Sequence, residues 1–246
     1  MIVIENLWKK FGTREILRGI TLTIPRGETV CIIGGSGTGK SVTLKHIMRL
    51  LEPDEGKVIL DGQDITHLQG YELAKARLKM GVLFQSAALL QWLTVGENIA
   101  LPLRENTDLT EGEIQKRVVE MLKLLQIPQA KDLYPNQISG GMQKRAGLAR
   151  AVVMKPLVVL YDEPTSGLDP VKTALVDEMI LDMHQKLDVT QVIITHDMTS
   201  AYRISNRIAM LYEGKVIQYG TPDEIKNTQN PVVRQFIEGL TKGPIQ

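Results

Sequence analysis

Cysteine is almost missing from these 246 residues: Cys31 stands alone. One thiol excludes an internal disulfide and any cysteine cluster for metal, and it fits a reducing compartment. Its place inside an apolar run reads as that of a small buried hydrophobe. An excess of charge is missing too. The 29 Lys and Arg against 28 Asp and Glu leave a formal net charge of +1. That balance gives no nucleic-acid footprint and no acidic tail. No run approaches the roughly 20 apolar residues that span a bilayer. The best stretch, 151–161, is broken by Lys155 and Pro156. The start, Met1-Ile2-Val3-Ile4-Glu5, has no basic region and no long apolar core, so it reads as a strand and not as a signal peptide. If the protein serves a membrane process, another chain is expected to supply the membrane part. Internal repeats and low-complexity segments are absent as well. The rest is ordinary: 43% hydrophobic residues, in a length that holds one large or two small domains.

Against that background one stretch stands out. Gly34-Gly35-Ser36-Gly37-Thr38-Gly39-Lys40-Ser41 reads G-x-x-x-x-G-K-[ST], the phosphate-loop pattern. Before it, 28–33 is a short apolar run with strand character. After it, 42–51 has apolar residues at helical spacing. This is the strand–loop–helix context that the pattern requires. The glycines let the backbone curl so that successive N–H groups point at phosphate oxygens, and the helix start adds its positive end. Lys40 supplies a mobile cation for the β- and γ-phosphates, and Ser41 a hydroxyl for Mg²⁺.

The first sixty residues otherwise look β-rich, with strands expected at 1–8, 20–24, 29–33 and 57–60 between Gly- and Pro-containing turns. Residues 71–79 look helical and 80–84 form another short apolar run. From 94 to 153 the character changes. Thr110-Glu111-Gly112-Glu113 has a capping-box pattern, and the apolar residues behind it keep helical period. Residues 139–153 are a second helix candidate, so the middle block reads as a helical insertion. Strand character returns at 157–161 and 192–195, and 171–187 between them has the length of a crossover helix, which implies a parallel βαβ unit. Residues 208–212 and 215–219 look like a hairpin turning at Glu213-Gly214. The segment 221–239 reads as a short polar helical tail.

Two further motifs carry chemistry. The strand 157–161 runs into Asp162-Glu163. In phosphate-loop enzymes a carboxylate at such a strand end holds Mg²⁺, which suits Asp162, and Glu163 is then placed to orient or deprotonate an attacking water. Ser139-Gly140-Gly141-Met142-Gln143 opens a helix whose first turns carry Lys144 and Arg145. A Ser-Gly-Gly at a helix start offers a hydroxyl and backbone N–H groups to an anion. His196 follows the 192–195 strand, at an edge where parallel sheets bind ligands. His46, His67 and His184 have no such placement and read as helix-surface or core residues.

Together these motifs resemble the nucleotide-binding subunit of ATP-binding cassette transporters. In that family the phosphate loop is followed by a switch-loop glutamine, a Leu-Ser-Gly-Gly-Gln signature, an Asp-Glu strand end, a Ser-x-Leu-Asp loop and a switch histidine. Here Gln85, Ile138-Ser139-Gly140-Gly141-Met142, Asp162-Glu163, Ser166-Gly167-Leu168-Asp169 and His196 occur in that order. The resemblance covers nearly the whole chain. It departs from the family at Ile138, where Leu is usual, and at Met142, where Gln is. It implies an α/β phosphate-loop NTPase with a RecA-like core, an antiparallel β subdomain and an inserted α-helical subdomain. The expected division is 1–85 and 156–220 for the core, 86–155 for the helical part and 221–246 for the tail, all within one domain.

The resemblance also implies ATP and Mg²⁺ as ligands and a head-to-tail pairing of two copies. Each nucleotide then lies between the phosphate loop of one copy and Ser139, Gly140 and Gly141 of the other. Nucleotide contacts are implied for residues Gly34 through Ser41, for Thr43 and for Asp169. Phe11 is similar in position to the aromatic that stacks on adenine. Metal contacts are implied for Ser41, Gln85 and Asp162, and catalytic roles for Glu163, His196 and Gln85. Partners are a second copy and integral-membrane permease subunits, not nucleic acid, and the implied location is the cytoplasmic face of a bacterial inner membrane.

Within the family, 82–90 and 139–151 are most similar to the ATPases of Mla-type lipid systems, in which the signature Met is typical. That implies phospholipid movement between bacterial membranes, with an MCE-domain protein and an accessory regulator as further partners. Leu89, Leu90, Trp92 and Leu93 are then expected to receive a permease helix, or else to be ordinary core. Other readings stay open at this point: an amino-acid importer or lipoprotein exporter ATPase, a soluble cassette ATPase acting on DNA or ribosomes, or a phosphate-loop kinase. The length leaves no room for the two cassettes or long coiled coil usual in the soluble type, and the signature argues against a kinase.

Overall fold

The computed structural model describes residues 1–245; Gln246, the last residue of the expected tail, lies outside the described residues. Its strands form two sheets. The first is antiparallel, built from β1 (Ile2–Phe11), β2 (Arg14–Ile24), β4 (Glu55–Leu60) and the short β5 (Gln63–Asp64), in the order β2-β1-β4-β5. The second contains β3 (Thr29–Ile33), β6 (Met80–Leu83), β7 (Val158–Asp162), β8 (Thr190–Ile194), β9 (Arg207–Tyr212) and β10 (Lys215–Gly220), ordered β10-β9-β3-β8-β7-β6. Every neighbouring pair in it is parallel except β9–β10, the hairpin that turns at Glu213-Gly214.

Alternation along β3 explains the layering. Side chains of a strand alternate between faces. Val30 and Ile32 join Ile4, Leu17, Leu44 and Leu160 in one core, between the two sheets and α1 (Lys40–Ile47). Cys31 and Ile33 join Tyr161, Ile193 and Met210 in a second core under the helices. All five residues of β3 are buried, as expected for a central parallel strand covered on both faces. Burial pushes the Cys31 thiol up to about 12 and keeps it inert.

Between β6 and β7 the chain forms no strand. It contributes α3 (Val95–Asn106), α4 (Glu111–Leu124) and α5 (Gly140–Val152). Thr94 and Thr110 both close capping boxes, with Glu97 and Glu113. The crossover helix α6 (Pro170–Leu187) joins β7 to its parallel neighbour β8. A short α7 (Met198–Ile204) follows β8. Two small helices, α8 (Pro222–Lys226) and α9 (Pro231–Glu238), end the described chain. The tail is less polar than its sequence suggests, because Ile225 and Val233 reach the helical core. α2 (Gly70–Arg77) packs beside β6. Among the described residues no helix is long and apolar enough to cross a membrane.

Candidate nucleotide-binding and catalytic site

The carboxyl ends of β3, β7 and β8 lie side by side, and the loops leaving them carry most of the expected site residues. At the end of β3 the backbone turns through Gly34, Gly37 and Gly39, with φ of 145°, 76° and 106°. A Cβ on Gly34 would collide with the Leu211 carbonyl oxygen, and one on Gly39 would come 2.6 Å from a Leu17 methyl. Only glycine satisfies both the conformation and the space. Thr38 Oγ1 donates to the Gly35 carbonyl at 2.9 Å. Lys40 folds its ammonium back into the loop, donating to the Gly34 and Gly35 carbonyls, each at 2.8 Å. Burial lowers its pKa, opposed by the charges of Glu163 and Asp162. The loop therefore holds a cation in the hollow that the pattern assigns to phosphate. Thr43 is wholly buried and donates to the Gly39 carbonyl at 3.0 Å, so its hydroxyl serves the loop backbone.

Ser41 Oγ stands 3.4 Å from Asp162 Oδ1. Burial and the neighbouring Glu163 charge raise the Asp162 pKa. A hydroxyl and a carboxylate oxygen facing each other fit a small hard cation such as Mg²⁺, which takes few protein ligands and completes its shell with water and phosphate. Among the described residues there is no cluster of three or more His, Cys, Asp or Glu that could hold a metal ion. Glu163 follows with φ 46°, a left-handed conformation rare outside glycine, fixed by its N–H donating to the Ile194 carbonyl at 2.9 Å. Its Oε1 lies 3.5 Å from His196 Nδ1. Gln85 Nε2 donates to Ser166 Oγ at 3.0 Å, three residues beyond Glu163. The structure thus brings together Lys40, Ser41, Asp162, Glu163 and His196, with Gln85 joined through Ser166.

Five expected residues lie apart from that group. Ser139 caps α5, accepting from the Met142 N–H at 3.3 Å, and a Cβ on Gly140 or Gly141 would meet nothing. Gly141 lines a small cavity with Leu168 and Val176, away from the phosphate loop of its own chain. Asp169 caps α6 and pairs with Lys172, which holds its carboxyl below the usual range. Phe11 ends β1, half exposed, with the Lys9 ammonium 5.7 Å from its ring centre. It stands outside the lining of the adjoining cleft of about 890 Å³. That cleft runs along the phosphate loop past Arg14 and Ile16 on β2 and Tyr212 on β9, and its far wall is Phe236 and Ile245 from the tail. Sequence reasoning placed Ser166 in the Ser-x-Leu-Asp loop but missed its bond to Gln85, and it missed Ile16 and the tail wall. Nothing in the local pattern marks Ile16, Phe236 or Ile245, because their approach is made by the fold.

A family model described as ABC transporter matches residues 17–166. The chain belongs to the ABC transporter family. It is 43% identical to the probable ribonucleotide transport ATP-binding protein mkl of Mycobacterium tuberculosis over 244 residues, which is 99% of this chain and 68% of that one. It is 35% identical to the intermembrane phospholipid transport system ATP-binding protein MlaF of Haemophilus influenzae, over 100% of this chain and 93% of that one. The dimeric post-hydrolysis structure of the ATP-binding cassette MJ0796 with ADP and Pi superposes with a TM-score of 0.82 at 34% identity, covering 90% of this chain and 99% of the other. The phosphate-loop NTPase fold is that of an ABC cassette. This ABC protein is the ATP-binding, ATP-hydrolysing subunit of a transporter, with Mg²⁺ as its metal.

Proposed function

We propose that ATP hydrolysis runs through Lys40, Ser41, Gln85, Asp162, Glu163 and His196, and that it drives phospholipid movement between bacterial membranes. The observation that carries the site reading is the convergence of Lys40, Ser41, Asp162, Glu163 and His196 from three strand ends on one mouth. Lys40 exchanges its two loop carbonyls for phosphate oxygens. Ser41 and Asp162, with Gln85, would hold Mg²⁺, whose charge would offset that of the phosphates. The Glu163 carboxylate orients the attacking water and takes its proton, and His196 sits beside it to meet the γ-phosphate. The charge on Asp162 is disfavoured by burial, which suits a group whose counter-charge arrives with the metal.

The open backbone at Gly140 and Gly141 supports completion of the site by a second copy, whose Ser139–Gly141 segment covers the nucleotide and whose Asp169 lies at the shared boundary. The lipid reading rests on the near full-length match to MlaF and on the signature Met142. The name of the mycobacterial relative supports a ribonucleotide cargo as the second reading. Permease subunits, an MCE-domain protein and a regulator are the partners that the lipid reading entails, with the chain seated on the inner membrane's cytoplasmic face. Trp92, 72% exposed, is the side chain best placed to meet a permease; Leu89 faces the core instead.

The test has two arms. Glu163→Gln is expected to bind ATP with ordinary affinity and to lose about 100-fold or more in turnover, the usual loss for a general base. Near-normal turnover removes Glu163 from that role. The complex recovered from native membranes is then assayed for ATPase stimulation by phospholipid vesicles and by ribonucleotides. Stimulation by ribonucleotide and not by lipid replaces the first cargo with the second.

A further inference from the structure

Lys144 is a buried cation that makes no salt bridge among the described residues. It lies in the second turn of α5 at 8% exposure, and its ammonium donates to the Pro164 carbonyl oxygen. Burial lowers its pKa, so its surroundings disfavour its charge. A buried charge without a counter-ion is costly and needs its hydrogen bonds. The bond that Lys144 makes falls on the residue next to Glu163.

Six residues on, Arg150 donates to the carbonyls of Ala88 at 2.7 Å and Ala87 at 2.9 Å. Both alanines have positive φ, 61° at Ala87 and 47° at Ala88. Consecutive residues in that region carry strain that their surroundings must hold in place. Gly147 permits the close approach, since a Cβ there would lie 3.0 Å from Ala87 Cβ. The alanines directly follow Gln85-Ser86, and Gln85 is bonded to Ser166. The contacts close a ring from α5 to the Glu163 segment, across to Gln85, and back to α5.

We propose that Lys144 and Arg150 are positioning residues. They make α5 a strut, so that engagement of its Ser139 end by another copy's nucleotide fixes Gln85 and Glu163 in the same chain. The proposal rests on the site reading above and adds the link between the two nucleotide sites of a pair. Neither side chain lines the nucleotide cleft. Their removal therefore acts on turnover and cooperativity and spares binding.

The test uses the full chain, with Mg-ATP binding and turnover measured across ATP concentration. Lys144→Met and Arg150→Met are each expected to keep nucleotide affinity within about twofold and to lose roughly tenfold or more in kcat, as misplaced catalytic groups do. The Hill coefficient falls towards one, and Lys144→Arg restores most of the turnover. The double variant is expected within about twofold of the worse single variant, because both break one ring. Single variants with parental kcat and Hill coefficient overturn the proposal, as does a double variant whose losses multiply. Should Lys144→Met fail to fold, Arg150→Lys decides: it keeps the charge and gives up the two-pronged bond. A several-fold loss of kcat at unchanged affinity is expected there, and parental kcat overturns the proposal. Glu163→Gln runs beside these. Its normal turnover would bring down the site reading, whereas a slow Glu163→Gln with normal Lys144 and Arg150 variants brings down the strut alone.

Discussion

Asp177 on α6 is wholly buried, and its Oδ1 has no hydrogen-bond partner among the described residues. Its Oδ2 accepts from Ser200 Oγ at 3.0 Å and faces the Arg203 guanidinium at 3.5 Å, which ties α6 to α7. Burial raises its pKa, Ser200 and Arg203 oppose the rise, and the nearby Asp197 adds to it. A carboxyl whose folded pKa lies above its unfolded value gives stability that is fully present below the unfolded pKa, here near 3.8, and is lost as pH climbs through the folded value. Asp177→Asn removes that loss. Its melting temperature relative to the parent is expected to become more favourable between pH 4 and 7, by on the order of a few degrees. A difference that is flat or falls with pH over that range contradicts this account. Residues of this kind were the least visible in the sequence. Asp177 and Lys144 look like solvated helix positions, and only long-range packing buries them. The phosphate loop, the Asp162-Glu163 strand end and His196 were visible because each is a local pattern bound to its strand.

At the scale of elements, close approaches between α5 and β6 depend on two residues without side chains. A Cβ on Gly81 would collide with the Ala151 carbonyl oxygen, and Gly147 abuts Ala87 and Leu83. Gly81→Ala is expected to cost about 1–3 kcal/mol in denaturant unfolding, the range for overpacking. Gly112→Ala, on an open face of α4, should gain up to about 1 kcal/mol from helix propensity. Equal effects at the two positions would contradict the packing described here. Buried strands and long helices announced themselves, since burial writes continuous or periodic apolar runs. The first half of β2 did not, because Arg14, Glu15 and Arg18 face solvent on an edge strand whose pairing with β1 is set across the turn at Gly12-Thr13. The seven residues of α7 are too few to show a period, and their signal is the Asp197 cap bonding the Thr199 and Ser200 N–H groups. Pro102 sits inside α3 and masks a helix that Thr94 and Glu97 begin.

At the scale of the whole molecule, Gly141 at the start of α5 and the phosphate loop line separate cavities, so each half of the proposed shared site is incomplete alone. Light scattering of Glu163→Gln is expected to show a monomer without nucleotide and a doubling of mass in Mg-ATP. A tight dimer without nucleotide would contradict the shared-site reading. The sheet order has a further consequence for how the protein is made. β3 carries the phosphate loop, yet it sits between β8 and β9, more than 150 positions later in the chain. A ribosome adding ~5–20 residues per second emits the loop roughly 10–35 seconds before the strand that flanks it, Arg207–Tyr212, is finished. Throughout that interval the nascent glycine loop has no wall behind it. Nucleotide can act as a folding ligand for this chain only near the end of its synthesis, and fragments released early would carry the motif without the ability to grip a phosphate.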